Sequence, residues 1–345
     1  MKTLSIVVPC YNEEAVFPET RRRLAELLRQ MRAEGLISSA SHVLFVDDGS
    51  RDATWSLIAE ANRDSRDFHG LKLARNVGHQ RALYSGLMSA DGDLVISVDA
   101  DLQDDLNVMF EMVRLAAQGN EIVFGVRRRR DKDTFFKRFT AEGYYKLLDA
   151  FGVDVVFNHA DYRLMSRKAI EALREYREVN LFLRGLVTQI GFSTSNVFYD
   201  REERFAGESK YPLSKMLALA WQGITSFSAV PLRLITMTGI TIALISLSLS
   251  AWAMYIKLFT QTAVPGWASS VVPTFFLGGV QLLCLGVVGE YVAKIFLETK
   301  RRPHYHVDRL TYADRPDLQH LPATAAQVQP IEETIERLRT AELVG

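Results

Sequence analysis

Over the first 230 residues, short apolar runs alternate with longer stretches in which apolar residues recur every three or four positions. The runs at 4–9 (LSIVVP), 42–48 (HVLFVDD), 70–75 (GLKLAR), 93–99 (DLVISVD) and 121–126 (EIVFGV) are rich in β-branched residues and apolar on both faces. That pattern predicts strands buried in a parallel sheet. The stretches near 13–33, 54–64, 79–90 and 106–118 carry the helical period instead. Strand and helix in alternation predict an α/β fold, a doubly wound, mostly parallel sheet with helices on both faces.

After residue 230 the pattern changes. Leu234–Ile256 is an uncharged run of 23 residues between Arg233 and Lys257. As a helix rising ~1.5 Å per residue it spans about 35 Å, enough for a bilayer core of ~30 Å. A second uncharged run covers Ala268–Gly289, and the loop Leu258–Ser270 carries no charge. Two such runs predict a two-helix transmembrane hairpin within 231–298. Lys210, Lys215 and Arg233 precede it, and Lys294, Lys300, Arg301 and Arg302 follow it. The positive-inside rule then puts residues 1–212 and the polar tail 299–345 in the cytoplasm. Leu4–Pro9 is too short an apolar stretch for a signal peptide.

Composition adds exclusions. Lys+Arg and Asp+Glu balance at 41 each, so bulk charge implies no nucleic-acid partner. The two cysteines, Cys10 and Cys284, offer neither a disulfide framework nor a metal-ligand spacing and suit a reducing compartment.

The chemistry gathers where a parallel sheet keeps it, beyond the carboxyl ends of its strands. Four strand ends carry polar clusters: PCYNEE (9–14), VDDGSRD (46–52), ARNVGHQ (74–80) and VDADLQDD (98–105). In VDDGS, Asp47 and Asp48 are read equally well as turn residues or as acceptors for the N–H groups of a base. Asp52 and Thr54 suffice to cap the next helix. In VDADLQDD, Asp99, Asp101 and Gln103 fall at i, i+2 and i+4. If the chain stays extended past the strand, all three project to one side and suit a hard divalent cation, Mg²⁺ or Mn²⁺. Asp104 and Asp105 are expected to cap the helix beginning near Leu106.

These clusters carry a resemblance. SIVVPCYNEE, FVDDGSRDAT, LARNVGHQRALYSGL and ISVDADLQDD resemble family 2 inverting glycosyltransferases of the GT-A fold. ADYRLMSRKAIEAL, LFLRGLVTQIGF and RFAGESKYPLSKMLALAWQGITSFS are similar to the polyprenyl-phosphate branch of that family, which includes dolichyl-phosphate mannose synthases and bacterial undecaprenyl-phosphate glucosyltransferases. The resemblance covers roughly residues 3 to 302. It implies a nucleotide-sugar donor, a polyprenyl phosphate acceptor and a bacterial inner-membrane location. By the same resemblance Pro9, Tyr11 and Glu13 line the nucleotide, and Asp47 or Asp48 reads the base. Asp99, Asp101 and Gln103 serve the metal and diphosphate, with Asp101 the foremost metal ligand. Asp161 lies near the sugar, and Arg127, Arg201, Arg204 and Lys210 surround the acceptor or donor phosphates. Two positions depart from the branch: Ala160 stands where Gly is common, and Gln189 where the bacterial glucosyltransferases often have an aromatic. Both bear on the sugar pocket. UDP-glucose is the first expectation for the donor and GDP-mannose the alternative.

A phosphate monoester with a second pKa near ~6 is already largely dianionic at neutral pH, so its attack on the sugar needs no strong general base. Asp161 is therefore expected to orient the sugar or the acceptor. RRRRDK (127–132), followed by aromatic residues, reads either as a solvated loop or as a contact to anionic lipid headgroups. Residues 213–230 read as an interfacial amphipathic helix, with core packing the rival. Gly239 and Ala243, four apart, permit close helix contact within the hairpin or between subunits of a homo-oligomer. His79 reads equally as a phosphate contact or a structural helix-start residue. A processive polysaccharide synthase is disfavoured, because no Gln-x-x-Arg-Trp motif occurs and only two spans are found. A non-catalytic membrane scaffold is disfavoured by the intact Asp99, Asp101 and Gln103.

Overall fold

A computed structural model of the protein describes residues 1–101, 103–127, 159–179, 181–200, 225, 228, 230–259 and 267–311. The chain opens with β1 (Leu4–Cys10), α1 (Phe17–Ala33), β2 (His42–Asp47), α2 (Thr54–Asp64) and β3 (Phe68–Leu73). It continues through α3 (His79–Ser89), β4 (Leu94–Ser97), α4 (Val108–Ala117), β5 (Ile122–Arg127) and β6 (His159–Ser166). Then come α5 (Arg167–Glu175), α6 (Leu183–Gln189), β7 (Thr194–Tyr199), the long helices α7 (Val230–Phe259) and α8 (Trp267–Lys300), and β8 (Val307–Leu310).

All eight strands join one sheet in the order β7-β5-β6-β4-β1-β2-β3-β8. Strands β1 to β4 pair in parallel, as the doubly apolar runs predict, and β7 is parallel to β5. β6 runs antiparallel between β4 and β5, and β8 antiparallel along β3. Period-2 geometry splits β1 between two cores. Leu4, Ile6 and Val8 pack with Leu24 and Leu28 of α1, Ile58 of α2 and Met109 and Met112 of α4. Val7 faces the other side, with Leu83 and Leu87 of α3, Ile170 of α5 and Leu186 of α6. The fold is thus the expected α/β layer structure with helices on both faces.

Helix α3 lies especially close to the sheet. A Cβ on Gly86 would collide with Val7 and Val46, so only glycine lets this helix sit where it does. α5 begins at Ser166, whose hydroxyl accepts from the Ala169 N–H at 3.1 Å, an ordinary N-cap. α4 begins at Val108 rather than near Leu106, and its N-cap residue Asn107 makes no side-chain cap.

Beyond the sheet, α7 and α8 expose large apolar side chains, among them Leu234, Ile240, Leu244 and Trp252 on α7 and Leu282, Leu285, Ile295 and Phe296 on α8. Among the described residues one stretch, Leu277–Lys300, is long and apolar enough to cross a membrane. A Cβ on Gly239 would meet no atom within 4 Å among the described residues. The tail expected to be merely polar supplies strand β8. Arg201, Arg204 and Lys210, residues 128–132 of the basic run, nearly all of the expected interfacial helix 213–230, and the tail beyond 311 lie outside the described residues.

Candidate active site

The carboxyl ends of β1, β2, β3 and β4 converge as the parallel topology requires. Pro9, Cys10, Tyr11, Glu13, Asp48, Asn76, Gly78, His79 and Ala82 line a cleft of about 180 Å³. Four residues expected to serve the nucleotide, Pro9, Tyr11, Glu13 and Asp48, therefore share one surface.

Backbone–side-chain bonds lace the loops around this cleft together. Asn12 is held in the left-handed region at φ 55, a conformation its short amide tolerates. Its Oδ1 accepts from the Arg51 N–H at 2.9 Å, and its own N–H donates to Ser50 Oγ at 3.0 Å. The Glu13 N–H donates to Thr54 Oγ1 at 2.9 Å. Asp52 Oδ1 accepts from the N–H and hydroxyl of Thr54 at 3.0 and 2.6 Å, which leaves Asp47 and Asp48 free of that task.

The two adjacent carboxylates divide their work. Asp48 Oδ1 accepts from the Val77 N–H at 2.7 Å and Oδ2 from the Gly78 N–H at 3.0 Å, clamping the β3–α3 loop to the end of β2. Gly78 at φ 91 makes that turn possible. Asp47 is fully buried; its Oδ1 accepts from the Ser50 N–H at 3.1 Å, while its Oδ2 has no hydrogen-bond partner among the described residues. Burial pushes the pKa of both carboxyls up. Of the pair, Asp47 is the one with acceptor capacity to spare.

Past β4 the chain does not stay extended. It turns at residues 100–101, and Asp101 Oδ1 accepts from the Gln103 N–H at 3.3 Å in an Asx-type turn. The extended run on which the i, i+2, i+4 projection of Asp99, Asp101 and Gln103 depends is thus interrupted by a turn at residues 100–101. Asp104 is the clearer correction. It is buried, accepts from the Tyr199 hydroxyl at 2.5 Å and pairs with the Arg127 guanidinium at 3.2 Å, so it does not cap α4. A buried carboxylate needs a cation and a donor more than a helix end does. Arg127, expected at a phosphate, spends one nitrogen on Asp104 and donates from Nε to the Tyr199 oxygen at 3.3 Å. Asp105 Oδ1 accepts from the N–H and side-chain amide of Asn107 at 2.9 and 3.0 Å.

The densest electrostatics surround Asp161 on β6. Its Oδ1 accepts from Arg163 at 2.7 Å, and its Oδ2 faces Arg184 of α6 at 3.2 Å and His79 Nε2 of α3 at 3.3 Å. His79 Nε2 also lies 3.6 Å from Asp99 Oδ1. Burial opposes the Asp161 charge, but Arg184, His79 and Arg163 outweigh it and hold its carboxyl well below the usual carboxylate range. His79 is pushed up, because Asp161 and Asp99 overcome the burial that disfavours its charge. Asp99 is pushed up to about 6: burial is the main cause, His79 opposes it, and Asp104, Asp161 and Asp101 add to it. A third of the Asp99 side chain (34%) is exposed, next to His79, which lines the cleft.

His79 lines the cleft and bridges two carboxylates. Arg163 and Arg184 are the residues that sequence reasoning missed. The signal for Arg163 was present: it stands two residues after Asp161 in a strand, hence on the same face. Nothing local marks Arg184. Gln189, at the end of α6, is exposed. Among the described residues no group of three or more His, Cys, Asp or Glu side chains forms a ready metal cage. Asp99 and Asp101 are hard oxygen donors in a carboxylate-rich turn, and Mg²⁺ characteristically takes one or two carboxylates plus phosphate oxygens and water. The donor set fits such a cation.

The chain can be placed among known proteins. Residues 5–174 match the family model described as Glycosyl transferase family 2. An uncharacterized glycosyltransferase of Bacillus subtilis (strain 168), YkoT, is 51% identical over 307 residues, covering 88% of this chain and 91% of its own. The bactoprenol glucosyl transferase of Shigella phage SfX is 39% identical over 303 residues, covering 88% and 97%. The prophage bactoprenol glucosyl transferase homolog of Escherichia coli (strain K12) is 37% identical over 308 residues, covering 89% and 99%. Crystalline glucosyl-3-phosphoglycerate synthase from Mycobacterium tuberculosis, in complex with Mn²⁺, UDP and glucosyl-3-phosphoglycerate, superposes with a TM-score of 0.42 at 18% identity, over 65% of this chain and 78% of that one. With the family model matched over residues 5–174 and a glycosyltransferase relative 51% identical over 88% of its length, the chain belongs to glycosyltransferase family 2.

Proposed function

We propose that this protein is a membrane-bound inverting glycosyltransferase that moves glucose from UDP-glucose to undecaprenyl phosphate, giving a lipid-linked monosaccharide for envelope glycan modification. The relatives named bactoprenol glucosyl transferase, matched over nearly their whole length, support the acceptor and the sugar. In the site itself, the observation that carries the reading is the clamped Asp161, held ionised beside the cleft mouth by two guanidiniums and an imidazole.

A carboxylate held that firmly in its charged form is a poor proton acceptor. The transfer does not require one, because the phosphate nucleophile is already largely dianionic at neutral pH. An acceptor phosphate oxygen attacks the anomeric carbon as the bond to the nucleoside diphosphate breaks, which inverts that centre. Pro9, Tyr11, Glu13 and Asp47 or Asp48 serve the nucleotide; Asp161 orients the sugar or acceptor, and His79 and Arg184 set its position. Asp99, Asp101 and Gln103 would hold a Mg²⁺ or Mn²⁺, which when bound supplies Lewis-acid stabilisation of charge on the diphosphate. Arg201, Arg204 and Lys210 are assigned to the phosphates by family resemblance. α7 and α8 form a transmembrane hairpin in the bacterial cytoplasmic membrane, with the catalytic domain and tail on the cytoplasmic side, and their exposed apolar side chains support this placement.

The test is purified protein with undecaprenyl phosphate, Mg²⁺ and a panel of sugar nucleotides, followed by mass spectrometry of the lipid. A hexosyl-phosphate lipid from UDP-glucose is expected. Product from GDP-mannose alone would move the donor assignment, and no product with any donor would refute the reading. Asp101→Ala is expected to abolish product; full activity in that variant would remove the metal assignment.

A further inference from the structure

Tyr291, Lys294 and Glu298 lie at i, i+3 and i+7 on α8, one face of a helix. Each makes a polar bond to the body of the protein. The Tyr291 hydroxyl donates to the Ser228 carbonyl at 2.7 Å, Lys294 Nζ donates to Thr225 Oγ1 at 2.5 Å, and Glu298 Oε2 accepts from the Val179 N–H at 2.8 Å. Val292, Ile295 and Phe296 are exposed on the other side. The last turns of α8 therefore meet Ser228 and Thr225, just ahead of α7, and Val179 of the catalytic domain through their polar face.

Val179 lies between α5 and α6, five positions before Arg184. α6 has only seven residues, and its N-cap residue Phe182 offers no side-chain cap, so the helix has little power to fix its own start. Outside groups do so. The Leu183 N–H donates to Gln80 Oε1 of α3 at 3.0 Å, and Glu298 holds the approach at Val179. A charged acceptor makes this one of the stronger hydrogen bonds available to a backbone N–H. The stretch it steadies ends on Arg184, which meets Asp161.

The chain leaving α8 packs on α3 and on the end of β3, beside the Asn76–His79 stretch that contributes to the cleft. Arg301 takes the left-handed conformation (φ 45) that ends the helix. His304 then packs on Tyr84 of α3 with ring centroids 5.3 Å apart, and the His306 carbonyl accepts from the Ala74 N–H at 2.9 Å. Tyr305 and Val307 pack against the same apolar cluster as Val77, just ahead of Gly78 and His79.

We infer that Glu298 is a positioning residue for sugar transfer: it holds Val179, ahead of residues 181–184, so that Arg184 reaches Asp161, and thereby ties the geometry of the site to the end of α8. This rests on the transfer reaction proposed above. Two variants separate positioning from general support, because Glu298→Gln keeps an acceptor oxygen for the Val179 N–H and Glu298→Ala removes it. With UDP-glucose and undecaprenyl phosphate in detergent, Glu298→Ala is expected to lower kcat about tenfold, as modest misplacement of a site does. Its KM for UDP-glucose stays at the wild-type value, and Glu298→Gln, which keeps a neutral acceptor, loses clearly less kcat than Glu298→Ala. Hydrogen exchange read by mass spectrometry is expected to quicken across 179–184 in Glu298→Ala alone. An Ala variant with wild-type kcat and exchange, or a Gln variant as impaired as Ala, would overturn the inference. If the wild-type protein transfers no sugar, the functional reading fails, while the exchange experiment still decides whether Glu298 holds the segment.

Discussion

Arg163 and Asp161 form a buried ion pair, and removing the cation exposes what the pair contributes. The Arg163 side chain is fully buried, that of Asp161 is 5% exposed, and they meet at 2.7 Å. Removing one partner of such a pair ordinarily costs ~3–5 kcal/mol, because the other charge is left desolvated. Here Arg184 at 3.2 Å and His79 at 3.3 Å still face the carboxylate after Arg163→Met, which reduces the loss to about 2–4 kcal/mol. For a unit of this size each 1 kcal/mol shifts Tm by ~2–4 °C, so a fall of roughly 5–15 °C is expected. The assay is thermal denaturation of the detergent-solubilised protein followed by tryptophan fluorescence, on Arg163→Met, Asp161→Asn and the double variant. In the double variant the stranded charge is gone, so its loss should be smaller than the sum of the single losses by about 1 kcal/mol or more. A single variant melting with wild type, or strictly additive losses, would refute the argument that Arg163 is there to neutralise Asp161.

Three further outcomes follow from the geometry. Tyr199→Phe removes the hydroxyl that donates to buried Asp104 at 2.5 Å and should destabilise by about 1.5–3 kcal/mol in the same melting assay. Gly86→Ala places a methyl group against Val7 and Val46, so overpacking of about 1–3 kcal/mol is expected, whereas Gly119→Ala, with open space around it but φ 101, should be limited to backbone strain. Asp99 has a folded pKa raised to about 6, so in EDTA the native state binds more protons than the unfolded chain between the ordinary carboxylate value near ~4 and that pKa. Stability should therefore fall as pH rises through this window. Asp99→Asn should flatten that slope; an unchanged slope would refute the assignment.

Much of the architecture was legible because the strands announce themselves on both faces. The helix at 54–64 was read at its observed boundaries, helped by the Asp52–Thr54 turn that starts it. Strand ends pointed to the cleft, and Pro9, Tyr11, Glu13 and Asp48 do share its wall. Long-range pairing was harder to see. Asp104 looks like a helix cap locally, yet its partners Arg127 and Tyr199 lie 23 and 95 positions away. His79 reads ambiguously until β6 brings Asp161 to it. The four residues of β8 carry no pattern that sets them apart from a polar tail, since only the free edge of β3 makes them a strand.

That edge has a practical consequence. Without β8, β3 would end the sheet with a row of unpaired N–H and C=O groups, the kind of border on which chains join one another and precipitate. Leu71, Lys72 and Leu73 are covered by Leu310, Arg309 and Val307, and the Gly70 N–H donates to Thr311 Oγ1 at 2.8 Å. A soluble fragment cut before α7 would discard the strand that seals this border. Joining residues 304–311 back to the domain through a flexible linker should yield a better-behaved water-soluble fragment than truncation alone.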